Sequence, residues 1–104
     1  MDKLPDNIRE TDTYKAWFVA LNDIRAKARI DMRIMRLSNG NPGDVKPAGE
    51  GISEMRIDYG PGYRVYYKEL NKIIYILLCG GDKRTQYNDI EKAKKLAKKL
   101  EDIV

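Results

Sequence analysis

The sequence predicts an α+β domain with helices packed on a small, mainly antiparallel sheet. Three observations support this class. Apolar residues recur at helical spacing before residue 39, alternate at strand spacing between residues 52 and 79, and return to helical spacing near the carboxyl end. Short connections between successive strands favour an antiparallel meander. The predicted order is therefore β-α-α-β-β-β-α, within a single domain of residues 1–104.

The first third of the chain is predicted to contain a short strand and a helical hairpin. A strand is placed at residues 7–10, and Thr11 or Thr13 can cap the helix that follows. Asn22 or Asp23 can then cap a second helix. The core-facing stripe of the first helix consists of Tyr14, Trp17, Phe18 and Leu21.

The second helix is predicted over residues 24–38, and Gly40 ends it. One face of this helix is apolar. Beside it runs a basic ridge, which is either a solvated face or a surface for phosphates or an acidic partner protein. The ridge consists of Arg25, Arg29, Arg33 and Arg36. Residues 39–51 are rich in Gly, Pro, Asn and Asp and are predicted to form a loop.

The central strands are predicted at residues 52–59, 63–70 and 73–79. A Gly-Pro-Gly turn at residues 60–62 separates the first two. Proline fixes φ at the second position of a type II turn, and glycine supplies the positive φ of the third. The last strand is apolar on both faces, which is typical of a strand covered on both sides. A final helix is predicted from about Thr85.

Charge and composition limit the classes of function. The net charge of +4 fits an anionic partner, either nucleic acid or an acidic protein segment. The sequence has no histidine, which excludes histidine-based triads and histidine-ligated metal sites, and its single cysteine, Cys79, cannot form a disulfide within the chain. No signal-like or transmembrane-length apolar stretch is present. These features predict a cytoplasmic protein with no metal or other cofactor and no membrane partner.

A cationic surface is predicted on one face of the sheet, where the strands, the preceding loop and the start of the last helix converge. Guanidinium groups hold phosphate oxygens and tyrosine rings stack on bases, so such a surface favours a nucleic-acid partner. The residues predicted to form it are Lys46, Glu54, Arg56, Arg64, Lys83, Arg84, Gln86 and Tyr87.

Three segments are distinctive in combination: residues 49–57 (GEGISEMRI), residues 60–67 (GPGYRVYY) and residues 77–86 (LLCGGDKRTQ). Together they resemble HigB-like toxins of the RelE/ParE superfamily, and more narrowly its phage-derived branch of addiction module killer proteins. The resemblance extends over essentially the whole chain. It implies a RelE-like fold and the toxin half of a type II toxin–antitoxin pair. It also implies ribosome-dependent cleavage of mRNA and a neutralising antitoxin, often a small helix-turn-helix DNA-binding protein.

The resemblance implies roles for particular residues. Arg64 matches the arginine that holds the scissile phosphate in RelE-type toxins, and Arg56 lies where those toxins keep a basic strand residue. Lys83 or Arg84 falls at the basic position after the last strand, and Tyr87 lies near a base-stacking tyrosine. The residues predicted to be catalytic are therefore Arg56, Arg64, Lys83 and Arg84, and those predicted to bind RNA, from their place on the cationic surface, are Lys46, Glu54, Gln86 and Tyr87.

The implied reaction requires neither histidine nor metal. The 2′-hydroxyl of the message attacks its own adjacent phosphate and leaves a 2′,3′-cyclic phosphate and a 5′-hydroxyl. Arg56 and Arg64 are the candidates for aligning the phosphate and stabilising its charge. Lys83, Glu54 and Tyr87 are the candidates for proton transfer. Because Glu54 stands where the RelE pattern has a basic residue, the general base stays open.

Two other functions are compatible with the same features. ParE-type members of the superfamily poison DNA gyrase and do not cut RNA, and the fold alone does not separate the two activities. A basic cleft with Arg64, Lys83 and Arg84 favours the ribonuclease. The remaining alternative is a nonenzymatic protein that only binds RNA or an antitoxin. A map of mRNA ends after induction of the chain distinguishes these functions.

Overall fold

The structure is a computed structural model that describes residues 4–103, with side chains described for residues 4–100. Residues 1–3 and 104 of the predicted domain lie outside the described residues. The elements in order are β1 (Ile8–Glu10), α1 (Asp12–Ala20), α2 (Ile24–Ser38), β2 (Val45–Gly49), β3 (Ile52–Ile57), β4 (Tyr63–Leu70), β5 (Ile74–Gly81) and α3 (Gln86–Ile103). A short 3-10 turn, Lys83–Thr85, leads into α3. Within these residues the α+β class is confirmed.

The strands form one mixed sheet in the order β1-β5-β4-β3-β2. β3, β4 and β5 are antiparallel neighbours, which confirms the predicted meander. The short strand expected near residues 7–10 is also present as β1. It pairs with β5 in the parallel direction and forms one edge of the sheet, while β2 forms the other.

The predicted order is wrong at one point, because residues 39–51 are not all loop. Val45–Gly49 forms β2, which pairs with β3, so the observed order has four strands between α2 and α3. Pro47 has no N–H to donate, and the pairing register shifts between Pro47 and Gly49. An edge strand tolerates both features because it is hydrogen-bonded on one side only. The composition of β2 is therefore that of a loop, although it pairs as a strand.

Helices cover both faces of the sheet. α1 and α2 pack on one face, and α3 packs on the other. The core under α1 and α2 includes Tyr14, Ile30, Ile34, Met55, Val65 and Leu77. The core under α3 includes Ile52, Tyr66, Leu78, Cys79, Ala93 and Ala97. Over the residues that the structure describes, no helix is long and apolar enough to cross a membrane.

Thr11 caps α1, and Asp23 caps α2. Thr11 Oγ1 accepts a hydrogen bond from a backbone N–H of α1 at 3.0 Å and donates one to the Leu78 carbonyl at 2.6 Å. Asp23 Oδ1 accepts hydrogen bonds from the first N–H groups of α2, at 2.9 and 3.2 Å. The Thr11 contacts join the start of α1 to the strand on which the helix packs.

β5 extends to Gly81, two residues beyond its predicted end at Cys79. Close packing requires both glycines at the end of this strand. A Cβ on Gly80 would overlap the ring of Trp17, and a Cβ on Gly81 would overlap the carboxylate of Asp89. The end of β5 is therefore the place where α1 and α3 approach the sheet backbone from opposite faces.

Candidate functional site

Three of the predicted basic residues meet in one open groove at the turn end of the β3–β4 hairpin. Arg56 and Arg64 are direct partners on neighbouring strands, so their side chains leave the same face of the sheet. Lys83 reaches this groove from the 3-10 turn before α3. The groove has a volume of about 460 Å³. It is also lined by Asp44, Asp58 and residues 60–62.

The Gly-Pro-Gly turn lines the groove next to the cationic side chains. Gly60 and Gly62 both have positive φ, and the Gly62 N–H donates to the Tyr59 carbonyl at 3.1 Å. The hydrogen-bonded reversal thus spans residues 59–62, one residue before the predicted position, while the positive φ predicted at Gly62 is confirmed. A Cβ on Gly62 would lie 3.2 Å from Arg64 Nη1, so a larger residue there would displace the guanidinium by a few tenths of an ångström.

Arg64 is anchored beneath the groove and does not extend into solvent. Its side chain is 12% exposed, and Nη1 donates to the Gly62 carbonyl at 2.7 Å. Its Nε lies 3.7 Å from Glu54 Oε2, which is an ion-pair distance but too long for a hydrogen bond. Among the described residues, this buried Nε has no hydrogen-bond partner. The guanidinium is therefore held at two points while it lines the groove.

Glu54 lies beneath the surface and is 3% exposed. Its Oε2 accepts hydrogen bonds from Tyr66 Oη at 3.0 Å and from Gln86 Nε2 at 2.7 Å. Burial, together with the charge of Glu54, raises the pKa of Tyr66, so this hydroxyl stays protonated and donates. Glu54 and Gln86, which the sequence predicts to contact RNA, are instead bonded to each other and do not line the groove.

Arg56 forms an exposed ion pair in the groove. Its Nη2 lies 2.7 Å from Asp44 Oδ1. The hydrogen bond from Arg56 lowers the pKa of Asp44, and the same bond raises the pKa of Arg56. Exposed ion pairs contribute little net free energy, so another anion can replace this carboxylate on Arg56.

One arginine of the predicted basic ridge is structural. Arg33 Nη1 donates to the Arg56 carbonyl at 2.6 Å. Its Nη2 donates to the carbonyls of Pro42 and Asp44, at 3.0 and 3.2 Å. These bonds fasten the loop after α2 to β3 and place the Asp44 carboxylate beside Arg56. Both Nη atoms of the half-buried Arg33 are thus engaged by backbone carbonyls, in contrast to both interpretations of the ridge.

The other predicted site residues lie outside the groove. The Arg84 side chain is 81% exposed and pairs with Asp82 at 2.9 Å. Tyr87, in the first turn of α3, is 77% exposed. Lys46 is exposed on β2, directly opposite Glu54 in the ladder. The structure therefore brings Arg56, Arg64 and Lys83 together and leaves the other predicted site residues outside the groove.

Two charged residues of the groove form no ion pair within the described part of the chain, namely Lys83 and Asp58. Asp58 and Asp44 were not among the predicted site residues. The alternation along β3 places Asp58 on the face of Arg56, so a sequence signal for it existed. The position of Asp44 depends on the contacts of Arg33, and no local pattern indicates it.

The groove can bind an anion and move protons. α3 covers the neighbouring part of this face, so the groove is confined to the hairpin end. Guanidinium and ammonium groups there are donors for phosphate oxygens, and the carboxylates are proton acceptors. Among the described residues, no group of three or more Asp, Glu or Cys side chains is arranged to hold a metal ion.

No protein-family model matches the chain. A relative is found in Haemophilus influenzae, an uncharacterized protein that is 54% identical over 93 residues. The matched residues make up 89% of this chain and 94% of the relative. Identity at this level over most of both chains indicates common descent. The chain therefore belongs to the same family as this Haemophilus influenzae protein.

Proposed function

We propose that this chain is the toxin of a type II toxin–antitoxin pair, that its α+β fold is RelE-like, and that it cuts mRNA on the ribosome. The observation that carries the proposal is the meeting of Arg56, Arg64 and Lys83 in one open groove. These cations come from β3, β4 and the 3-10 turn, so the groove exists only in the folded chain. Guanidinium and ammonium groups in such an arrangement suit a phosphodiester.

The pairing of each cation suggests how a phosphate would bind. Arg64 is balanced from beneath by Glu54, and Arg56 is shared with the exposed Asp44. Lys83 has no ion pair among the described residues. An entering phosphate therefore meets Lys83 directly, competes with Asp44 for Arg56, and finds Arg64 already held in place.

In the proposed reaction, the 2′-oxygen of a nucleotide attacks the adjacent phosphorus and the P–O5′ bond breaks. The products are a 2′,3′-cyclic phosphate and a 5′-hydroxyl. One proton leaves the 2′-hydroxyl and one is delivered to the 5′-oxygen, so no co-reactant is consumed. Arg56 and Arg64 stabilise the negative charge that develops on the non-bridging oxygens. Removing one such donor typically lowers kcat about 10²–10³-fold.

Asp58 is the candidate for accepting the proton of the 2′-hydroxyl, because this groove carboxylate forms no ion pair with a described residue. Lys83 is the candidate for protonating the leaving 5′-oxygen. Glu54 is unsuited to proton transfer because it is buried and bonded to two donors. Tyr87 lies outside the groove and is suited to contacting RNA further along the strand.

The proposal includes the partners and location that the family resemblance implies. The substrate is mRNA held on the ribosome, and the neutralising partner is an antitoxin of the small helix-turn-helix DNA-binding kind. Both interactions take place in the cytoplasm. Lys46, Arg84 and Tyr87 are exposed and do not line the groove, and we propose that they contact RNA outside the cleaved bond.

Induction of the wild-type chain and of Arg64→Ala in growing cells tests this function. We expect the wild type to arrest growth and to create new 5′ ends within coding regions, mapped by primer extension, and Arg64→Ala to do neither. Arg9→Ala is the control, because Arg9 is exposed on β1 at the opposite edge of the sheet. Growth arrest with DNA damage and no new mRNA ends would support gyrase poisoning instead. Unchanged cutting by Arg64→Ala would contradict the site.

A further inference from the structure

We infer that Glu54 is a positioning residue, whose buried carboxylate fixes the guanidinium of Arg64 in the orientation that the groove requires. The catalytic consequence of this inference rests on the proposed function. The positional part does not, because it follows from contacts within the chain. The side chains that make these contacts are Glu54, Arg64, Tyr66 and Gln86.

Three elements fix the position of the carboxylate. Glu54 belongs to β3, Tyr66 to the neighbouring β4, and Gln86 is the first residue of α3. Both donors bond to the same oxygen, Oε2, at 3.0 and 2.7 Å. Tyr66 and Glu54 are both buried, so water cannot readily replace either partner. The carboxylate is therefore held between β4 and the start of α3 by these two hydrogen bonds.

The same oxygen faces the arginine. Oε2 lies 3.7 Å from Arg64 Nε, which is buried and has no hydrogen-bond acceptor among the described residues. A buried N–H without an acceptor is unfavourable, and a nearby negative charge offsets that penalty. Glu54 thus attracts the guanidinium from behind. The Gly62 carbonyl, 2.7 Å from Nη1, fixes it at a second point.

The negative charge of Glu54, and not only the shape of its side chain, is needed to keep the Arg64 guanidinium in position. A largely buried guanidinium without a counter-charge is driven towards solvent, because desolvation of a cation is unfavourable. Arg64 has a route outwards, since it lines an open groove. Loss of the Glu54 charge should therefore release the guanidinium from its position. RNA affinity should change less, because exposed cations such as Lys83 remain.

Nuclear magnetic resonance of the ¹⁵N-labelled full chain tests the positional role. The Arg64 Nε–H signal can be assigned as the one that Arg64→Lys removes. We expect this signal to report a rigid side chain in the wild type. In Glu54→Gln we expect it to become as mobile as the Nε–H of the exposed Arg36. An Arg64 signal that stays rigid in Glu54→Gln would overturn the inference.

Gln86→Leu keeps the test decisive if Glu54→Gln does not fold. This variant keeps the carboxylate but removes one of its two hydrogen-bond donors, at a position that is only half-buried. We expect the mobility of Arg64 to lie between those of the wild type and the exposed Arg36. The backbone amide spectrum confirms that the variant is folded. In a folded Gln86→Leu, unchanged Arg64 mobility would count against the role of Glu54.

A kinetic measurement separates this inference from the proposed function. In cleavage of ribosome-bound mRNA, we expect Glu54→Gln to lower kcat at least about 10-fold while KM changes little, because a misplaced donor affects the transition state most. A loss that appears only in KM would contradict positioning. A wild-type chain that cuts no RNA would end the proposed function, while the resonance experiment would still decide whether Glu54 holds Arg64.

Discussion

The two carboxylates of the groove differ in their surroundings. Asp44 accepts the hydrogen bond of Arg56, which lowers the pKa of Asp44. Asp58 lines the same groove without an ion pair to any described residue. Asp44 is thus occupied by its ion-pair partner, whereas Asp58 can accept a hydrogen bond from a hydroxyl group bound in the groove. At the scale of single residues, the two groups are therefore expected to have different roles.

Asp58→Asn is expected to slow single-turnover cleavage about 10²–10⁴-fold, the usual effect of removing a general base. Asp44→Asn is the matched variant, since it removes a carboxylate from the same groove. It is expected to bind RNA more tightly, because Arg56 loses a competing partner, and to affect the cleavage rate much less. Equal losses of rate in the two variants would contradict the assignment of the proton acceptor.

Alternation along the strands correctly predicts which face of the sheet Glu54, Arg56 and Arg64 share, but it does not predict how far each side chain is buried. Glu54, Arg56 and Arg64 do share one face of the sheet. Glu54 is nevertheless buried, partly because Gln86 bonds to it from 32 positions further along the chain. A contact over that separation leaves no local pattern in the sequence. Sequence patterns alone therefore place Glu54 on the predicted RNA-binding surface.

The end of β5 contacts two helices and also pairs with a residue of the candidate site. Trp17 of α1 lies over Gly80 on one face, and Asp89 of α3 lies over Gly81 on the other. Gly81 is the ladder partner of Arg64. The close approach of α3 to the sheet therefore occurs beside the groove, and the packing of this strand end supports the position of the site.

Gly80→Ala is expected to destabilise the fold by about 1–3 kcal/mol, because the added methyl overlaps the ring of Trp17. Trp17→Leu should also be destabilising on its own, since it removes aromatic contacts. The double variant should be destabilised by about 1 kcal/mol less than the sum of the two single destabilisations, because the smaller leucine side chain makes room for the methyl group. Urea unfolding of the four proteins measures this coupling, and strict additivity would contradict the packing.

The helices and strands that bury one face in the core are predicted by their sequence periodicity. β2, which buries no such face, is not predicted. α2 occupies the predicted residues because its buried positions recur at helical spacing. β2 has only an edge position, and its proline and glycine are typical of a loop. Pairing with β3 makes it a strand. The sequence limits the N-cap of each of the first two helices to two candidate residues. Thr11 can be distinguished from the alternative only by its contact with Leu78, which the sequence does not show.

At the scale of the whole molecule, aspartates link stability to pH. Backbone N–H groups at the start of α2 lower the pKa of Asp23. Hydrogen bonds from arginine side chains lower the pKa values of Asp44 and Asp82. An aspartate whose folded pKa lies below the unfolded value of about 3.9 stabilises the fold above that value. Its contribution is lost as the pH falls through the folded pKa.

The melting temperature is therefore expected to change little between about pH 5 and pH 7 and to fall below about pH 4. A variant with asparagine at positions 23, 44 and 82 should show a smaller acid-induced fall, because asparagine has no charge to lose. Calorimetry of both proteins across this range measures the difference. An identical fall in the two would show that these carboxylates do not contribute to the acid sensitivity.

The overall charge predicts the type of partner, but it does not predict the size or place of a binding surface. A net charge of +4 favours an anionic partner. The groove is confined to one end of the sheet because α3 covers the neighbouring surface, and this depends on how the complete fold is assembled. The fold class could be predicted from periodicity. An activity cannot be inferred from a fold class, because one fold serves many functions.

Single-turnover cleavage of ribosome-bound mRNA by the purified chain tests most directly whether the groove of Arg56, Arg64 and Lys83 is the cleavage site. The wild type should leave 2′,3′-cyclic phosphate and 5′-hydroxyl ends, and a message with a single 2′-deoxy nucleotide at the mapped site should stay intact. Arg64→Ala should be slower by at least about 10²-fold, whereas Arg9→Ala should match the wild type. Cleavage of the 2′-deoxy message, or equal rates for the wild type and Arg64→Ala, would contradict the mechanism.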